Sequence, residues 1–356
     1  MNITLRYFGL AVIVLLHSCN NAEDNHISLQ EVTTITVDED VTRHFSNFFP
    51  ITPTSPFDET LTLQNRESSP KLFVVDYEGN KLRKHGSYGS GPGELHRATL
   101  SGYDSSGNIL VFDDMNMRFT RYYKSGDQAS TYTFDYENTA FMISSYDPLH
   151  SCDDTWFLGI NGESSESKNP VIAQLDNQME IQELLGKTDA FFKNGEQDVQ
   201  QTSVISVDCA AERIYTTHEK LPYIQVFNVH DQSKDKRITN KPSEFNLSNE
   251  ITSFVQGMQA WQEYLITEQS STHGLFHTED YLIHVFWNAT EAYFDTENFI
   301  DRNDYIAIYD RDNYSYIGQK EMEGAVTGIT REGYLIEWID DNPDNFELRL
   351  LNILVE

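Results

Sequence analysis

The sequence predicts an all-β fold, a six-bladed β-propeller of four-stranded antiparallel blades whose last blade is closed by the N-terminal strand. Three observations predict it. Short runs of β-branched and aromatic residues, bounded by Asp, Asn and Gly turns, dominate the chain, and almost nothing in it has an amphipathic helical period. The runs recur as one unit: strand, turn, strand, polar loop, strand, turn, strand. The chain also ends just after the third strand of its last unit, while an unassigned strand stands near its start.

In chain order, the first element is an export signal. Arg6 precedes the apolar run Tyr7 to Leu16, and Leu16-His17-Ser18-Cys19 follows. A short basic region, a short apolar core and a small residue before a cysteine form a secretory signal ending in a lipobox. Residues 1–18 are therefore read as the signal and Cys19 as the lipidated first residue, although His17 is unusual at its position. The apolar run is shorter than the roughly 20 residues that span a bilayer. Residues 19–28 are polar and acidic and read as a flexible tether, and residues 29–356 as the propeller.

The orphan strand is Glu31-Val-Thr-Thr-Ile-Thr-Val37. The clearest repeat unit follows later, with strands at Thr99–Tyr103, Ile109–Phe112, Arg118–Tyr123 and Ser130–Phe134, and turns at Asp104–Asn108 and Gly126. Second strands begin near Leu61, Ile109, Trp156, Ile214, Leu282 and Leu335, at spacings of 48, 47, 58, 68 and 53 residues. Third strands follow at Leu72, Arg118, Val171, Tyr223, Tyr305 and Phe346. Six units of this length match propeller repeats. An open ring would expose an unpaired strand edge, so the orphan strand is expected to complete the sixth blade. Residues 243–271 fit the repeat poorly and read as an insertion before the fifth blade.

Composition narrows the partners. The 25 Lys and Arg against 56 Asp and Glu give a net charge of −31, or −32 once the signal and its Arg6 are removed. Such a surface repels nucleic acid and anionic lipid. The 39% hydrophobic content is enough for a core, and the lack of long Gly/Ser or Pro linkers favours one large, monomeric domain. Cys152 and Cys209 would meet an oxidising compartment. They sit at matching turns of consecutive blades, farther apart than the ~5.5–6 Å that a disulfide needs. Only an offset in the loops would close that gap, and the spacing leans against the bond.

The loop Gly86-Ser-Tyr-Gly-Ser-Gly-Pro-Gly-Glu94 lacks the Lys-Ser/Thr and the helix of a phosphate cradle, and Pro92 removes a donor. It reads as a tight crossing between blades. With the hairpin Phe73-Val-Val-Asp76-Tyr-Glu-Gly79-Asn-Lys-Leu82 before it, this loop resembles the six-bladed propeller lipoproteins of Bacteroidetes-type bacteria, related in shape to NHL and TolB-like propellers. Their first blade commonly ends in Gly-x-Gly-Pro-Gly-Glu after such a hairpin. This chain departs from their pattern at Leu95, where they usually carry an aromatic residue. The acidic stretch after Cys19 likewise resembles the surface-export signals of such lipoproteins. The resemblance implies fold and an envelope location, anchored to the outer membrane and facing either the periplasm or the outside. It implies no reaction.

No strong catalytic motif appears. Three Ser-x-x-Lys matches fall in Ser-rich loops without a Lys-Thr-Gly partner. His273 and His277, four apart on a strand, should share a face about 13 Å apart, too far to grip one metal. Loops between second and third strands of a propeller gather on one face around the tunnel. That places Asp113, Asp114, Asn116, Arg118, His218, Glu219, Asn288, Asp340 and Asp341 on a common rim beside Trp287 and Trp338. An acidic rim with aromatic platforms suits a cation, a sugar or a cationic peptide. The expected function is a lipid-anchored module that binds an envelope protein, a peptide or a glycan. The alternative is a calcium-dependent hydrolase of the lactonase type seen in other six-bladed propellers, for which no ligand set of Glu, Asn and Asp aligns here.

Overall fold

The computed structural model describes residues 26–42, 58–64, 71–126, 129–134, 141–143, 148–162, 170–187, 202–230, 236–248, 257–296, 301–340 and 346–356. The expected signal, Cys19 and most of the expected tether lie outside the described residues. Strand β1 (Ile27–Thr36) leads into a short turn of helix, α1 (Glu39–Thr42). Blade 1 is described as β2 (Thr60–Gln64), β3 (Leu72–Asp76) and β4 (Lys81–His85). Blade 2 is β5 (Ala98–Tyr103), β6 (Ile109–Asp113), β7 (Arg118–Tyr122) and β8 (Ala129–Thr133). Blade 3 has its inner strand in two pieces, β9 (Phe141–Ile143) and β10 (His150–Cys152), both paired with β11 (Thr155–Gly162), then β12 (Ile172–Leu175) and β13 (Ile181–Leu185).

Blade 4 is β14 (Ser203–Asp208), β15 (Arg213–His218), β16 (Ile224–Asn228) and β17 (Lys236–Ile238). The insertion before blade 5 contains helix α2 (Met258–Thr267). Blade 5 is β18 (Ser271–His277), β19 (Tyr281–Asn288), β20 (Asn303–Asp310) and β21 (Tyr316–Glu321), with α3 (Glu291–Thr296) between its second and third strands. Blade 6 is β22 (Ala325–Ile329), β23 (Leu335–Asp340) and β24 (Glu347–Val355), and its outer strand is β1. The orphan strand thus closes the ring as expected. β1 runs antiparallel to β24 from Ile27 opposite Val355 to Thr36 opposite Glu347, and the backbone N–H of Glu356 donates to His26 C=O at 3.1 Å.

The apolar residues form six principal clusters, one at each junction between neighbouring blades. Side chains alternate along a strand, and each middle strand is covered on both sides. Leu110 and Phe112 of β6 pack towards blade 3, while Ile109 and Val111 pack against Leu72 and Val74 of blade 1. In β19, Leu282 and Phe286 face blade 4, and Ile283 and Val285 face blade 6. This double coverage is why second strands read as unbroken apolar runs. The closing junction holds Ile35, Leu348 and Ile336 against Leu61, Leu63 and Phe73.

Antiparallel alternation sorts the connections onto two faces. Loops between second and third strands share the upper face with the crossings between blades. Turns joining first to second and third to fourth strands lie on the lower face. Cys152 and Cys209 occupy lower-face turns of blades 3 and 4 and form a disulfide with Cα atoms 5.5 Å apart. The leaning drawn from regular spacing is corrected: the inner strands β10 and β14 lie beside each other, and their lower ends bring the two cysteines within bonding distance. No helix among the described residues is long and apolar enough to cross a membrane.

The disulfide closes a separation of 57 residues. Replacing both cysteines by Ser should lower the unfolding free energy by about 2–4 kcal/mol, measured by denaturant titration. An unchanged midpoint would show that the two blades hold their junction without it.

Candidate functional site

On the upper face of blade 2, four of the rim residues turn inward. Asp113 is buried and accepts from the backbone N–H groups of His96, at 2.7 Å, Arg97, at 3.1 Å, and Asn116, at 3.2 Å. Asn116 Nδ2 donates to Gly89 C=O at 3.2 Å and to Asp113 Oδ2 at 2.7 Å. The guanidinium of Arg118 donates to Ser90 C=O at 2.7 Å, Gly91 C=O at 3.0 Å and Glu94 C=O at 2.6 Å. Asp114 is held in a fork by Arg97, with Nε at 2.7 and 3.0 Å from its two oxygens. These groups brace the crossing loop 86–94, so the acid pair of this corner is spent on the fold.

The glycines of that loop have a steric cause. Glu94 folds its carboxylate back under the turn and accepts from Gly91 N–H at 2.7 Å. A Cβ on Gly89, at φ +151°, would meet Glu94 Oε2 at 2.1 Å, and one on Gly91 would meet the same atom at 2.9 Å. The loop motif therefore records a close approach of carboxylate to backbone, as expected for a tight crossing.

A second polar group stands at blades 4 and 5. Lys220 Nζ donates to Glu219 Oε1 at 2.8 Å and also reaches Ser271 Oγ. The backbone of Glu219 pairs with Thr202 and Thr272, and the carbonyl of buried His218 accepts from Leu221 N–H. Asn288 Nδ2 donates to Glu244 C=O at 3.1 Å, and its Oδ1 accepts from Ser270 Oγ. Trp287 is half-buried, with the Arg302 guanidinium 4.9 Å from its ring centroid and Tyr293 edge-on at 5.4 Å. Tyr264, Leu265 and Ala289 link α2 to this aromatic group.

Arg302 grips Asp304 in a bidentate pair at 2.6 and 2.8 Å, with side chains 3% and 2% exposed. Burial raises the Asp304 pKa to about 6, against the opposing pull of Arg302, so the carboxylate remains charged at neutral pH. His273 lies 3.8 Å from Asp304 and donates through Nε2 to Val326 C=O at 2.9 Å. Burial, and then Arg302, hold its pKa well below the ordinary value. Lys220, Ser271, Arg302 and Asp304 were not among the expected rim residues, and His273 was weighed only as a metal ligand, because the register that sets Trp287 opposite Ser271 and Asp304 across β18, β19 and β20 is not visible in sequence.

The rim expectation needs correction in blade 6. Trp338 is 3% exposed and packs against Phe346 at 5.6 Å in the closing junction, so it is a core residue and no platform. It shares strand parity with Ile336, which faces the same junction. Asp340 ends β23, and Asp341 lies outside the described residues. Among the described residues no group of three or more His, Cys, Asp or Glu side chains could hold a metal ion.

The expectation that His273 and His277 share a face is also corrected. A bulge between Thr272 and Gly274 flips the alternation. His273 turns to Val326 of blade 6, while His277 Nδ1 meets Ser206 Oγ of blade 4 at 2.9 Å. The second pair sits near the lower mouth with His150, whose Nε2 donates to Ile205 C=O at 3.2 Å. Ser206 is 2% exposed, and Asp208 is taken by Arg311 Nε at 2.7 Å. A buried hydroxyl with its acid engaged elsewhere lacks the arrangement of a nucleophilic triad.

No protein-family model matches the chain, and no curated protein matches it in sequence. Among solved structures it is similar to a member of the DUF4221 family from Bacteroides vulgatus, with TM-score 0.73 and 15% identity over 94% of this chain and 100% of that one. It is also similar to a Bacteroides fragilis protein inferred to be exported, with TM-score 0.58 and 14% identity over 92% of this chain and 95% of that one. At these identities the likeness is one of fold, and it extends over nearly the whole ring.

The buried imidazoles set a pH dependence. Burial lowers His85 and His150 to about 4 and His284 to about 3, from 6.5. Below about pH 6.5 the unfolded chain takes up protons that these folded sites refuse, so stability falls as pH drops from 6.5 towards 4. Asp304 acts oppositely between pH 6 and 4, one group against these three and against His273 and His277, which burial also lowers. Melting temperature should therefore fall steadily from pH 7 to pH 4.5, less steeply in His150→Asn, and a flat profile would contradict this balance.

Proposed function

We propose that this chain is a lipid-anchored propeller of the cell envelope that works by binding, with its upper face turned away from the membrane. The observation that carries the reading is where the chain enters the ring. Ile27 begins β1 on the lower face, and His26 is pinned there to Glu356. Cys19 precedes His26 by seven residues, a stretch that reaches at most about 25 Å. A lipid on Cys19 therefore keeps the lower face near the bilayer and leaves the upper face, with its loops and aromatic groups, open to partners. The export signal in the sequence and the similarity to a protein inferred to be exported support the location. Binding rather than turnover is favoured because the polar groups described above are engaged with one another and converge on no reacting centre.

Two measurements test this. Cys19→Ala should release the protein from the membrane fraction, and a variant still lodged in the membrane sinks the anchor. A bio-orthogonal dye at Ser125, in a lower-face turn, should transfer energy to a membrane acceptor more strongly than the same dye at Met115 on the upper face. Equal or reversed transfer rejects the orientation.

A further inference from the structure

Tyr88 is the most exposed large apolar side chain among the described residues, at 72%. It projects from the loop 86–94, in which side chains of Asn116, Arg118 and Tyr122 donate to five backbone carbonyls. Its ring is stacked on His96, with centroids 4.7 Å apart and planes 16° from parallel. On either side the backbone is fixed, by Leu95 N–H to Ser87 C=O at 2.8 Å and Gly89 N–H to Leu95 C=O at 3.1 Å. Tyr122 Oη adds a bond to Gly93 C=O at 3.0 Å. An aromatic side chain held in place before binding loses little conformational entropy on contact.

The surroundings select a ligand. Met115 is 61% exposed, and its neighbour Asn116 is bonded to Gly89, the neighbour of Tyr88. The charged groups at this corner are engaged within the fold: Arg97 pairs with Asp114, Arg118 is turned into the loop carbonyls, Asp113 is buried on backbone N–H groups and Glu94 is folded under the turn. Two exposed apolar groups, beside Ser90, Asn116 and the Arg97–Asp114 pair, do not make the cluster of large anchors on which a protein interface depends. They fit a ligand one ring wide, uncharged, with one apolar face and a hydroxyl edge. We propose that Tyr88 is the stacking platform of a binding site for a neutral saccharide, with His96 backing the ring and Met115 flanking it. This deepens the binding function proposed above. Its failure would leave the anchoring and orientation measurements standing.

The test is native affinity electrophoresis of the full chain in detergent, through gels containing amylopectin, xyloglucan, galactomannan or laminarin. At least one should retard the wild type. Tyr88→Ala should raise the apparent Kd at least tenfold with an unchanged melting temperature, and Tyr88→Trp should keep the retardation. Migration unaffected by all four polysaccharides overturns the proposal, as does a Tyr88→Ala variant retarded like the wild type. Retardation by polygalacturonate alone would overturn the assignment to neutral sugars.

Discussion

Every blade of this ring is buried on both faces, and that constraint governs the rest. A four-stranded sheet alone would leave the two apolar sides of β6, β11 or β19 in water. Only neighbours on both sides cover them, so six blades depend on six junctions and the last junction depends on closure. The nine register pairs between β1 and β24 supply that closure. Ile35 and Leu348, opposite each other in that ladder, both face the junction with blade 1. The earliest strand is thereby tied to the latest, and cooperativity must extend round the whole circle.

The same economy explains why the rim is poorer in free polar groups than its composition suggests. A crossing between blades must leave the outer edge of one sheet and reach the inner edge of the next, and its carbonyls need donors. At the first crossing Arg118 supplies three of them, Asn116 a fourth and Tyr122 a fifth. Polar side chains that appear free in sequence are the scaffold of a loop. What the scaffold leaves exposed, Tyr88 above all, is then the part available to a partner.

The architecture was legible because strand rhythm survives in sequence. The positions of the second strands, the closing role of the first strand and the insertion before blade 5 follow from spacing and from the need to cover edges. Side-chain direction was harder to read. Trp338 looked like a rim platform from its nearness to a loop, yet period two places it with Ile336 towards blade 1. His273 and His277 defeated the same rule because one bulged residue reverses it. The helix α2 escaped because its turn of apolar residues is short and lies in an acidic loop region. The disulfide was obscured because an average spacing between blades does not record how closely the lower ends of the inner strands β10 and β14 approach. Arg302 and Asp304 become a pair with Trp287 only once three strands are in register.

One consequence of the closure is mechanical. In the lipid-anchored form proposed above, the strand that completes the ring would also be the segment through which the rest of the chain is held. A pull on the residues before His26, directed along β1, strains its ladder with β24 in shear, so that the rungs share the force. A pull directed sideways opens the rungs one at a time, beginning at Ile27 and Val355. The ring thus tolerates traction along the strand far better than across it, and the direction of a tug at the leash decides whether the circle stays shut.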